Sequence, residues 1–64
     1  MADTFLRLPE VKHRTGLSRS TIYAAVSAGE FPKPIRLTER TVAWVESDIQ
    51  DWIDARIAAS RDAA

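Results

Sequence analysis

The sequence predicts a mostly α fold with a small β-hairpin, in the order helix, turn, helix, hairpin, helix. Three observations carry this. Two short helical segments are each closed by a glycine, Gly16 and Gly29. Two β-prone runs flank a polar tip at Thr38-Glu39-Arg40-Thr41. A last segment repeats apolar residues at helical spacing. With 64 residues the chain is one domain, 1–64, with an ordered core expected at about 5–59. The ends at 1–4 and from about residue 60 read as frayed.

The first helix is expected from about Pro9 to Arg14. A proline suits the first turn, where its missing N–H costs nothing. Gly16 stops the helix, because glycine enters the left-handed conformation freely. Val11 faces the core, with Leu8 just before it. Phe5-Leu6-Arg7-Leu8 is too short a run to assign. Ser18 opens the second helix as a cap, and Leu17 and Ile22 stand at the two positions of a hydrophobic staple. Ile22, Ala25 and Val26 form the buried stripe, and Gly29 ends the helix. Two short helices joined by Thr15-Gly16-Leu17 make a helix-turn-helix.

Phe31-Pro32-Lys33-Pro34 is forced into an extended path by its prolines. Ile35-Arg36-Leu37 and Val42-Ala43-Trp44-Val45 then form the hairpin. Ser47 and Gln50 have capping-box spacing ahead of the last helix. Asp48 and Asp51 sit near its positive end. Ile49, Trp52, Ile53 and Ile57 give its apolar stripe. Trp44 and Trp52 both lie in apolar patterns, which assigns them to the core, packed together. A hairpin beside a helix-turn-helix makes the winged form of that motif.

The apolar share is 45% and the charged share 28%, as in an ordinary globular protein. No cysteine is present, which excludes a disulfide framework or a thiolate metal site. No run has the length of a membrane span, and no signal-peptide core opens the chain, so the expected location is cytoplasmic. Formal net charge is zero but unevenly spread. Residues 1–45 carry seven basic against four acidic groups, and residues 46–64 two against five. A basic front would turn toward an anionic partner.

A helix-turn-helix sets the start of its second helix in the major groove of duplex DNA. Here that start reads Ser18-Arg19-Ser20-Thr21-Ile22-Tyr23. Arg19 can bind guanine bidentately, and Ser20 or Thr21 can reach bases or phosphates. The alternative is that Ser18 and its neighbours only cap, with Arg19 a solvated surface residue. Tyr23 can pack its ring and still offer its hydroxyl to a phosphate. Lys33, Arg36 and Arg40 stand on or beside the hairpin, where they would meet phosphate or else only guard strand edges. The aromatic residues could also stack on single-stranded nucleic acid. His13 has no cysteine or acidic cluster in sequence, so it reads as a surface or phosphate-contacting residue rather than a metal ligand or base. No nucleophile is assembled with a base and its orienting partner, which argues against an enzyme. No cofactor is implied.

These segments, taken together, resemble a known family. Leu8-Pro9-Glu10-Val11, Thr15-Gly16-Leu17-Ser18-Arg19-Ser20-Thr21-Ile22-Tyr23, Gly29-Glu30-Phe31-Pro32-Lys33-Pro34-Ile35, Val42-Ala43-Trp44 and Asp51-Trp52-Ile53 are similar to the AlpA-type prophage regulators. That family falls within the MerR-like and excisionase-like winged-helix group. The resemblance implies binding to double-stranded DNA. It implies either transcription control or an excisionase role beside an integrase, with several copies cooperating on DNA. Ala24 and Ser27 depart from it, standing at groove-facing positions where the family often has basic residues. The wing tip, with Thr38 and Glu39, is also less basic than is common. A rival function is a protein-interaction module whose acidic last helix recruits an integrase, repressor or polymerase.

Overall fold

A computed structural model describes residues 3–63, and side chains as far as Arg61. The elements in chain order are β1 (Phe5–Leu6), α1 (Leu8–Thr15), α2 (Arg19–Ala28), β2 (Ile35–Arg36), β3 (Val42–Val45) and α3 (Glu46–Ala63). The expected helices and hairpin are all present, and β1 joins them. The three strands form one antiparallel sheet in the order β1-β3-β2.

α1 begins after Arg7, whose extended backbone makes it the N-cap. The Arg7 N–H donates to the Glu10 carboxylate at 3.3 Å. At the other end Gly16 has φ 72°, and its N–H donates to the Lys12 carbonyl at 2.8 Å. The Thr15 hydroxyl donates to the Val11 carbonyl and accepts from the Leu17 N–H, which fixes the turn into α2. α2 ends in the same way as α1. Gly29 has φ 76°, and the N–H groups of Gly29 and Glu30 donate to the carbonyls of Val26 and Ala25. Both glycines hold conformations that a side chain would strain.

In the hairpin Ile35 pairs with Ala43 and Arg36 with Val42. Its tip is a turn over residues 38–41, in which the Thr38 and Thr41 backbones bond reciprocally. The Thr38 hydroxyl accepts from the Arg40 N–H at 3.3 Å. A threonine side chain thus closes a turn that lacks glycine. On the other edge of β3, Phe5 pairs with Val45 and Leu6 with Trp44.

The core gathers Leu6, Val11, Ile22, Phe31, Trp44 and Ile49, one or more residues from nearly every element. Leu8, Leu17, Ala25, Val26, Trp52 and Ile53 pack around them. Each indole also makes a specific bond. Trp44 Nε1 donates to the Pro32 carbonyl at 2.9 Å, and Trp52 Nε1 to the Glu30 carbonyl at 2.8 Å. The extended 30–34 segment lacks regular pairing of its own, so the two tryptophans hold it down. Their aromatic partners differ. Tyr23 lies 6.3 Å from Trp44, and Phe31 meets Trp52 edge-on at 4.9 Å. Both indoles join the same core, as expected, each through its own ring pair.

Two expectations are corrected. α3 starts at Glu46, directly after β3, so Ser47 lies inside the helix rather than capping it. The Glu46 N–H donates instead to the Thr4 carbonyl at 2.8 Å, and Gln50 Nε2 bonds Asp54. The chain ahead of β1 therefore does the capping, which local spacing could not reveal. Ile57 is 44% exposed although it continues the apolar stripe. A helix of this length runs roughly 27 Å, and its last turns extend past the core. α3 runs to Ala63, and residues 1, 2 and 64 lie outside the described residues. No helix among the described residues is long and apolar enough to cross a membrane.

Candidate nucleic-acid interface

The helix-turn-helix turns one face of α2 inward and leaves the other bare. Ile22 is fully buried, and Ala25 and Val26 are half-buried. Arg19, Ser20, Tyr23, Ala24 and Ser27 are exposed, as their spacing predicts. The start of α2 is fixed by its cap. The Ser18 hydroxyl accepts from the Thr21 N–H at 3.2 Å and donates to the Thr21 hydroxyl at 2.9 Å. Ser18 and Thr21 thus spend hydrogen-bonding capacity on one another. Of the α2 positions proposed from sequence, Arg19, Ser20 and Tyr23 have no hydrogen bond to another described residue through their side chains. Ser18→Ala should therefore act first on the fold, costing about 1 kcal/mol. A chemical denaturation series checks this. A parent-like midpoint would show that the cap contributes nothing.

Arg19 and Tyr23 form a unit that the sequence left undrawn, although their i, i+4 spacing is the signal for it. The Arg19 guanidinium lies 5.6 Å from the centre of the Tyr23 ring. Tyr23 is 37% exposed and abuts the buried Trp44 ring. A chain of ring contacts therefore runs from the core to the first exposed cation of α2. Such a cation–π contact restricts a long side chain that would otherwise sample many rotamers.

The wing residues separate into two places. Arg36 is on β2 and Arg40 in the hairpin turn, and both are exposed. Lys33 precedes the hairpin and lines a groove with Glu30, Asp48 and Asp51. Sequence proximity grouped it with the wing, whereas the fold sets it among carboxylates. Arg14 is turned elsewhere too. It pairs with Glu46 at 2.7 Å, joining the end of α1 to the start of α3. Both side chains of that pair are more than a third open to solvent, so it contributes no more than about 1 kcal/mol.

A short helix pair with an exposed second helix, backed by a three-stranded sheet carrying a basic hairpin, defines the winged helix-turn-helix class. Residues 4–57 match the family described as "Prophage CP4-57 regulatory protein (AlpA)". The chain belongs to that AlpA family of prophage regulators. It is 48% identical over 59 residues to the "Uncharacterized protein ORF88" of Enterobacteria phage P4, covering 92% of this chain and 67% of that protein. It is 37% identical over 61 residues to the "DNA-binding transcriptional activator AlpA" of Escherichia coli (strain K12), covering 86% of this chain and 87% of that protein.

Proposed function

We propose that the protein is a sequence-specific double-stranded DNA-binding regulator of prophage type, acting in the cytoplasm without catalysis of its own. The observation that carries this reading is the exposed face at the start of α2, capped by Ser18 and presenting Arg19, Ser20 and Tyr23. That face enters the major groove, with Arg19 reading a base and Ser20, Thr21 and Tyr23 meeting bases or phosphates. Arg36 and Arg40 place the wing on the backbone, with Lys33 a minor contributor. The description of the Escherichia coli relative as a transcriptional activator supports transcription control ahead of an excisionase role beside an integrase. Both would use the same grip on DNA. One module this small makes few phosphate contacts, so occupancy depends on several copies on adjacent sites.

A salt titration on the genuine site and on a random duplex tests the division of labour. Arg36→Ala and Arg40→Ala should each flatten the slope of log K against log[salt] by about 0.9. They should weaken both duplexes by similar factors. Lys33→Ala should change the slope least. Unchanged slopes in all three variants would remove the hairpin from the interface. An unchanged slope with lost discrimination would make the wing a base reader.

A further inference from the structure

Away from the exposed face of α2, the 29–33 segment and the start of α3 enclose an open groove of about 610 Å³. One wall is Glu30, Pro32 and Lys33, and the other is Asp48, Asp51 and Trp52. Its apolar part is fixed in place. Phe31 is buried beneath, edge-on to Trp52, and the Trp52 N–H bond to Glu30 ties the two walls together. Its charged part is acidic, with three carboxylates against the single cation of Lys33. Asp48 and Asp51 are three residues apart on α3 and so share one side of the helix. Neither they nor Glu30 forms an ion pair with another described residue. The α3 macrodipole opposes them with only about half a positive charge.

We propose that this groove docks an extended lysine- or arginine-bearing segment of a protein partner. Charge complementarity selects the occupant. A cation entering the groove meets three carboxylates, and its aliphatic stem lies along Trp52 and Pro32. The indole has an affinity of this kind already satisfied within the chain, for the Arg56 guanidinium lies 5.3 Å from its ring centre. Arg56 lines the adjoining groove with Ala55 and Ala59, and Glu30 and Trp52 border both grooves, whereas Lys33, Asp48 and Asp51 line only the first of the two. Duplex DNA is repelled by the same carboxylates. The docking site is therefore independent of the DNA-binding reading and adds to it a means of recruiting a protein.

The test uses a short fluorescent peptide of alternating lysine and leucine, with its glutamate-for-lysine counterpart as control. Anisotropy should show binding of the lysine peptide only. NMR of the labelled protein should place the shifts at the Trp52 indole N–H and at Glu30, Asp48 and Asp51. The Asp48→Asn/Asp51→Asn double variant should bind the peptide about tenfold more weakly, and Glu30→Gln, on the opposite wall, should weaken it as well. Neither variant should lose duplex-DNA affinity, since each removes a charge that repels DNA, so a failed DNA reading and a failed docking reading give different results. The proposal is overturned if the lysine peptide does not bind. It is equally overturned if shifts gather around Asp54 or Arg19, or if both variants bind the peptide as tightly as the parent.

Discussion

Trp44→Ala should leave the chain largely unfolded at room temperature. Trp44 is 0% exposed and is the largest of the fully buried side chains. It packs in the central cluster, pairs across the sheet with Leu6, abuts Tyr23 and anchors the Pro32 carbonyl. Truncating such a ring costs about 3–5 kcal/mol. A domain of this size rarely has more than roughly that in total. Far-ultraviolet circular dichroism and thermal melting give the answer. Trp44→Phe separates the two contributions, because it retains most of the packing and deletes the indole N–H. It should remain folded with a lower midpoint, losing about 1–3 kcal/mol for the carbonyl left without its donor. Trp52→Ala should be milder than Trp44→Ala, since that ring is only half-buried. A Trp44→Ala protein melting with the parent would show that the ring is not part of the core.

Arg19→Ala should weaken binding to the genuine operator by roughly 1–3 kcal/mol, or about fivefold to more than a hundredfold. Its effect on a random duplex should be much smaller, which sets it apart from the wing variants. The reason lies in position. Arg19 is the first residue of α2, is exposed, and is held over Tyr23. A bidentate contact to guanine demands a fixed guanidinium plane, and the tyrosine ring limits the orientations to be given up on binding. Tyr23→Phe keeps that ring and should retain discrimination. Tyr23→Ala removes it and should lose part of what Arg19→Ala loses. Fluorescence anisotropy on both duplexes measures each variant, with melting curves establishing that Tyr23→Ala still folds. Equal affinities of Arg19→Ala and parent for the operator would remove Arg19 from the reading surface.

The candidate site was legible in sequence wherever function depends on helix periodicity. The exposed face of α2 follows from the burial of Ile22, and Ser18 announces its cap through residue type. What could not be read was which cations share a surface. Lys33 stands three residues from Arg36 in sequence but lines a groove with Asp48 and Asp51, because the prolines extend the chain and the tryptophans pin it against α3. The acidic groove itself joins residues some twenty positions apart, so no local pattern marks it.

By itself the sequence determined the helix ends at Gly16 and Gly29, the cap at Ser18, the stripes of α2 and the first turns of α3, and the two hairpin strands. Each of these is set by interactions within a few residues: a left-handed glycine, a side chain reaching a backbone N–H one turn away, or apolar spacing that repeats along one element. Only the tertiary structure decided that Phe5–Leu6 is a strand, that Thr4 supplies the carbonyl opposite the start of α3, that the two indole N–H groups hold the 30–32 backbone, and that Ile57 stays in solvent. A two-residue strand has no periodicity to display and exists only through the ladder that β3 offers it. The exposure of Ile57 depends on where the rest of the domain ends, which is a property of the packed molecule and not of the helix that carries the residue.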